Sequence, residues 1–231
     1  MKRFYKEVAV RPSGDGWQVT LDGRAVKTQG GRSQIVPARA LADRLAAEWA
    51  AQGEEIDPAG FACRDLADFA IDVVQADRTA LIATVLGFAE TDTLCYRAEP
   101  DEPLYAAQQA LWEPLLTAAE ARWDVHFERI SGIIHRPQPP ATLARLRAVL
   151  QAQDAFALAA LNTLSSLAAS LVIALAALTP EAEAEALWTA ANLEEDWQAQ
   201  QWGKDAEAEE RRARRFGTFV SALEFARLAG G

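Results

Sequence analysis

The chain has 231 residues, half of them hydrophobic, and a formal net charge of -10. That length supports one or two domains with a real core. The acidic balance argues against nucleic-acid binding, which needs a basic patch, and it is uneven: residues 1–76 hold 10 bases and 11 acids, leaving 13 against 22 for 77–231.

The start, MKRFYKEVAV, has neither an apolar signal core nor an Arg- and Ser-rich amphipathic presequence, so the expectation is a protein that stays where it is made. The N-terminal part reads as strands. In WQVTL-DG-RAVKT, Asp22-Gly23 occupies the two-residue position of a type I′ hairpin, where both central residues need positive φ. That register sets Val19 opposite Val26 and Trp17 opposite Thr28 on one face, with Gln18 and Lys27 on the other. Short strands are predicted at 7–10 and 33–36. Pro37 is expected to open a helix at its first turn, where a missing N–H costs little. Leu41, Leu45 and Trp49 share a face of that helix, and Gly53 stops it. From Arg64 onward the pattern predicts helices at about 64–75, 78–92, 103–123, 140–152, 155–178, 180–201 and 205–229. Prolines punctuate them, and HFERISGIIHR is expected to be extended. The fold class is α+β: a small N-terminal strand-and-helix domain over 1–76, then an all-helical C-terminal domain over 77–231.

The stretch from Ala155 to Leu178 carries no charge and is long enough to span a bilayer. Much of it is alanine, five Ser, Thr and Asn residues interrupt it, and Asp154 and Glu181 flank it without nearby basic anchors. A leucine stripe at helical spacing among small residues fits a central helix enclosed by soluble neighbours.

Recognised chemistry is sparse. There is no GxSxG, no P-loop, and no GxGxxG after a strand. Cys63 and Cys95 lack CxxC spacing and read as buried thiols of a reducing compartment. His126 and His135 lie nine apart, without the spacing that puts metal ligands on one helical face. No metal or cofactor is expected. The carboxylates cluster in EEDWQAQQWGKDAEAEERRARR, from Glu194 to Arg215. Glu207–Arg211 and Glu210–Arg214 are i,i+4 pairs in the favourable order, so helix physics explains most of this charge. It explains less about Trp197 and Trp202, which suit a helix corner that meets a partner.

The same stretch carries a family resemblance. EEDWQAQQWGKDAEA is similar to the signature of the assembly chaperones for the α subunit of the F-type ATP synthase catalytic head, a mitochondrial and α-proteobacterial family. RFYKEVAV, WQVTLDGRAVKT, LAAEWAAQGEEIDP, RDLADFAID, TDTLCYRA, LYAAQQALWEPLL and ASLVIALA resemble the family's other segments in the family's order. Departures are Gln29 where a proline is common, Phe61-Ala62-Cys63 in place of a proline–leucine–threonine-like run, and Ala169-Ser170 in place of a glycine–serine pair.

The resemblance implies a non-enzymatic chaperone, and the lack of a presequence in MKRFYKEV leads to the expectation of a bacterial, cytoplasmic one. It would bind the unassembled α subunit, suppress its aggregation and yield it to the β subunit. It implies neither nucleic acid nor membrane insertion, and a monomer is expected when the chain is free. Glu207 matches a position of functional weight in the family. Trp202, Asp205, Glu195 and Asp196 join it as partner-binding candidates from the same motif, with Trp197 and Trp202 expected to anchor the corner. Trp49 also matches a family motif, and its helix-face spacing makes it structural. Two rivals are an enzyme using the acids around Glu207 with His126 or His135, and a helical scaffold with no such client. A deep polar pocket bringing a histidine to those acids would favour the enzyme.

Overall fold

The computed structural model describes residues 1–132, 135–203 and 205–230. Its first sheet consists of β1 (Val8–Ser13), β2 (Gly16–Leu21), β3 (Arg24–Ala25) and β4 (Ile35–Val36). β2 is central, with β1 antiparallel along its whole length on one side and β3 and β4 sharing the other. Asp22 and Gly23 take φ of +48° and +76°, as a type I′ turn requires. The Asp22 carboxylate also accepts from the N–H groups of Lys6 and Glu7, and those bonds hold its pKa below the usual aspartate value.

The hairpin register holds as far as Val26, whose N–H donates to the Val19 carbonyl at 2.9 Å. Beyond it the expected Trp17–Thr28 pairing fails: Trp17 lies opposite Val36. The cause is a pair of carboxylates distant in sequence. Asp72 accepts from the Thr28 hydroxyl and the Gly30 N–H, both at 2.8 Å, and Asp68 accepts from the Gln29 N–H. The chain is drawn off β2 and β4 takes its place. Gln18 is buried, and its amide donates to the Val26 carbonyl.

Helix α1 (Arg39–Ala50) begins two residues after Pro37. Leu41, Leu45 and Trp49 are buried together, as their spacing predicts. Glu48 is buried too, and its carboxylate accepts from the N–H groups of Cys63 and Arg64. It thereby satisfies orphan donors at the start of α2 (Ala62–Phe69), which runs on into a π turn at Ala70–Val74. Residues Met1–Arg78 form one compact unit with Asp154–Ala160 and Ser221–Gly231. Within it, Phe156 and Phe225 pack at 6.1 Å between rings, and Arg44 pairs with Glu224 at 3.2 Å.

Thr79–Gln153 and Leu161–Val220 form the other unit. Its helices are α3 (Arg78–Glu90), α4 (Pro103–Trp123), α5 (Pro140–Gln151), α6 (Ala155–Ala168), α7 (Leu171–Ala177), α8 (Ala184–Ala191), α9 (Leu193–Trp202) and α10 (Ala206–Ala229), of which α3, α6 and α10 cross the boundaries of the units. A two-residue parallel ladder, β5 (Tyr96–Arg97) with β6 (Ile130–Ser131), is set among them. Ile130–Ser131 fall in the segment expected to be extended; Ile133 and Ile134 of that segment lie outside the described residues.

Two helices expected to be continuous are broken. The 180–201 segment divides at Asn192, whose side-chain amide and N–H both donate to the Trp188 carbonyl. The 155–178 segment divides at Ala169-Ser170. Ala169 takes φ +48°, and the Ser170 N–H donates back to the Ser165 carbonyl, which is the bond that closes a Schellman end. The Ser170 hydroxyl then caps α7 by accepting from the Ile173 N–H. Fully buried Asp92 completes the break: its two carboxylate oxygens accept from the N–H groups of Leu94 and Val172. Thr93 ties the same corner by donating its N–H and hydroxyl to the Ala169 carbonyl.

A left-handed alanine costs roughly 1–2 kcal/mol that a glycine does not. Ala169→Gly is therefore expected to stabilise the chain by about 1 kcal/mol, less what glycine loses in unfolded-state entropy. A thermal melt checks this; Ala169 is exposed, so a fall in Tm would show that the entropy glycine adds to the unfolded chain outweighs the relieved strain.

Candidate functional site

The acidic stretch forms a corner of two helices. Glu194, Glu195 and Asp196 occupy the first turn of α9, where the helix dipole favours acids. Gly203 ends α9 with φ +93°. Asp205 caps α10: its carboxylate accepts from the Ala208 N–H at 3.2 Å and its carbonyl from the Glu209 N–H. Arginines of α10 then reach back to α9. Arg212 is bonded to Asp196, and Arg215 lies 3.8 Å from Glu195. Arg215 also donates to the Leu167 carbonyl, with its guanidinium 5.6 Å over the Trp188 ring.

Between α9 and α10 lies a cleft of about 340 Å³ whose charged lining, among the described residues, is Glu195, Asp196, Asp205, Glu209 and Arg212. The structure thus brings together three of the five sequence-nominated residues: Glu195, Asp196 and Asp205. Glu207 is outside that lining, 77% exposed at its side chain, and bonded to Arg211 at 2.7 Å. Trp202 is 81% exposed. It does not anchor the corner as expected, because α9 ends immediately after it and directs it to solvent. Trp197 is half-buried. Ion pairs across α9 and α10 join the helices here.

The residues that position this corner belong to α4, outside the acidic stretch. Gln108 and Trp112 of α4, both fully buried, are one helical turn apart. The Gln108 amide donates to Glu194 at 2.7 Å, and the Trp112 indole donates to the Ala190 carbonyl at 2.8 Å. Together they fix the end of α8 and the start of α9. The available signal was a polar amide on the 108, 112, 116 stripe, where a buried group must have partners.

No histidine lines the cleft. His126 lies 3.2 Å from Glu120, and His135 shares a hydrogen bond of 2.8 Å with the Tyr96 hydroxyl. Among the described residues no group of three or more His, Cys, Asp or Glu could hold a metal ion. Cys63 and Cys95 are buried free thiols; burial pushes Cys63 up to about 12 and Cys95 up as well, which leaves both poor nucleophiles. Among the described residues no helix is long and apolar enough to cross a membrane.

Residues 2–120, just over half of the chain, match the family model described as ATP12 chaperone protein. The fold is similar to Atp12 from Paracoccus denitrificans, with a TM-score of 0.94 and 34% identity, covering 99% of this chain and 98% of that one. It is similar to the Atu1473 protein of Agrobacterium tumefaciens at the same TM-score and 38% identity, covering 98% and 85%. The mitochondrial protein atp12 of Schizosaccharomyces pombe is 26% identical over 221 residues, 90% of this chain and 76% of that protein. The chain belongs to the ATP12 chaperone family.

Proposed function

We propose that this protein binds the unassembled α subunit of the F-type ATP synthase, prevents its aggregation, and hands it to the β subunit as the catalytic head assembles. The observation that carries the reading is membership of the ATP12 chaperone family, with a fold shared over almost the whole chain. The physical problem fits such a helper. An obligate subunit interface is large and apolar, and an orphan subunit exposes it. A chaperone that binds more weakly than the final partner can cover that surface and still release it, without nucleotide or catalysis. The proposed setting is the bacterial cytoplasm, with a monomeric free chaperone that neither inserts in membranes nor binds nucleic acid.

The α9–α10 corner is the proposed contact surface. Trp202 offers a large aromatic face to a partner, the cleft beside it is acidic, and Glu207 stands exposed on the first turn of α10. Affinity capture from the native cell tests the reading: selective recovery of the α subunit supports it, and recovery of many unrelated proteins favours a general scaffold.

Glu207 can be tested alone. Its helical pair with Arg211 is worth about 0.2–0.5 kcal/mol, so Glu207→Gln should leave the melt nearly unchanged. Its loss from an interface should weaken α-subunit binding by about tenfold or more. Glu210→Gln removes the neighbouring pair with Arg214 and serves as the control, expected to leave binding intact. Full protection of the α subunit by both variants would return Glu207 to a solvated helix face.

A further inference from the structure

Three helices of the second unit turn apolar stripes toward one open groove of about 680 Å³. α4 contributes Leu115 and Ala119, α7 contributes Leu175 and Ala176, and α8 contributes Ala186 and Leu187. The stripes follow helical spacing, and alanines in the floor allow another backbone to come close. The groove is separate from the acidic α9–α10 cleft, with which it shares no lining residue.

The charges on its rim are not neutral toward an occupant. Glu181 and Glu183 are both exposed members of the lining, and among the described lining residues the sole cation is Arg122, whose guanidinium lies 5.0 Å over the Trp123 ring. Glu183 immediately precedes α8, where the helix dipole alone accounts for an acid. Glu181 lies outside that first turn and gains little from it.

We infer that this groove receives an amphipathic helix carrying a lysine or arginine, presented by the unassembled subunit; the inference rests on the chaperone reading above. A helix satisfies its own backbone groups, so it can lie on an apolar lining that offers few hydrogen-bonding partners. An extended segment would leave its N–H and C=O groups unpaired there. The apolar face of the helix fills the groove, and its cation reaches Glu181 and Glu183. An orphan subunit whose packed helices lack their partner would offer this chemistry.

The test uses the full chain with purified α subunit. Ala186→Trp fills the groove from an exposed position, and Glu181→Lys with Glu183→Lys reverses its rim. Each variant is compared with the parent by thermal melt, by α-subunit binding, and by photocrosslinking from a reactive residue placed at position 118. Both variants are expected to melt close to the parent and to bind about tenfold or more weakly. The crosslink is expected to map to a helical α-subunit peptide with apolar residues at i, i+3 and i+4 and a basic residue beside them. Parental binding by both variants, a crosslink only to a second copy of this chain, or a crosslink to a segment without that pattern would each overturn the groove proposal while leaving the chaperone reading intact. Failure of the parent itself to bind the α subunit would overturn both.

Discussion

Trp49→Arg is expected to abolish cooperative folding. Trp49 is 7% exposed in the first unit, set 5.6 Å edge-on from the Tyr5 ring and 4.6 Å from the Phe61 ring. The Tyr5 hydroxyl donates to its carbonyl at 2.6 Å. Losing an indole from such a site costs about 3–5 kcal/mol, and an unpaired guanidinium adds a further penalty of several kcal/mol. A second cation is already close by, since Arg64 lies 4.0 Å over Phe61 and 5.9 Å over Trp49. The total approaches the roughly 5–15 kcal/mol that holds a typical domain together. Trp49→Phe separates packing from polarity. The Trp49 indole N–H is buried without a partner, so phenylalanine gives up no hydrogen bond and should cost only about 1–2 kcal/mol. Circular dichroism melts decide the matter. Equal melts for parent and Trp49→Arg would show that the ring is not part of the core.

Asp92 should give the second large effect. Removing its side chain in Asp92→Ala orphans the buried N–H groups of Leu94 and Val172 and removes a partner of the Ser170 hydroxyl. The expected cost is about 2–4 kcal/mol, focused on the α6–α7 break. Burial pushes the Asp92 pKa up to about 6 from an unperturbed 3.8, although the N–H groups it accepts pull it down. A carboxyl whose folded pKa is raised stabilises the native state fully below pH 4, and that contribution is lost as pH rises through about 6. The loss is about 3 kcal/mol. Asp92→Asn cannot titrate, and its amide turns a donor toward an N–H. Its deficit relative to the parent should therefore be greatest near pH 4 and shrink by pH 7. Denaturant unfolding of both proteins across that range measures it, and a deficit independent of pH would show that Asp92 stays ionised throughout.

These two residues mark what was and was not legible from sequence. Trp49 was readable because its partners on the helix face, Leu41 and Leu45, are local and periodic. The Asp22-Gly23 hairpin was readable because positive φ at two adjacent positions is a local demand. The break at Ala169-Ser170 was not, although the chain departs there from a glycine–serine pair. Alanine gives no left-handed signal, and the stabilising groups, Asp92 and Thr93, are more than 70 residues away. Trp17 was paired with Thr28 for the same reason: Asp68 and Asp72 redirect the chain from across the fold. At the candidate site, the acids of α9 and α10 were found by motif, but the α4 residues that hold their corner were not. Gln108 looks like any helix glutamine until Glu194 arrives beside it. Trp202 shows the opposite error, an aromatic assumed to pack where the structure leaves it exposed.

The proposed function stands or falls on selective protection of the α subunit. Purified α subunit is diluted from denaturant with and without an equimolar amount of this chain, and light scattering is followed before and after β subunit is added. Scattering is expected to be suppressed for α but not for β alone or for an unrelated aggregating protein, and added β is expected to displace the chaperone from α. Equal suppression for all three proteins, or none for α, would contradict it.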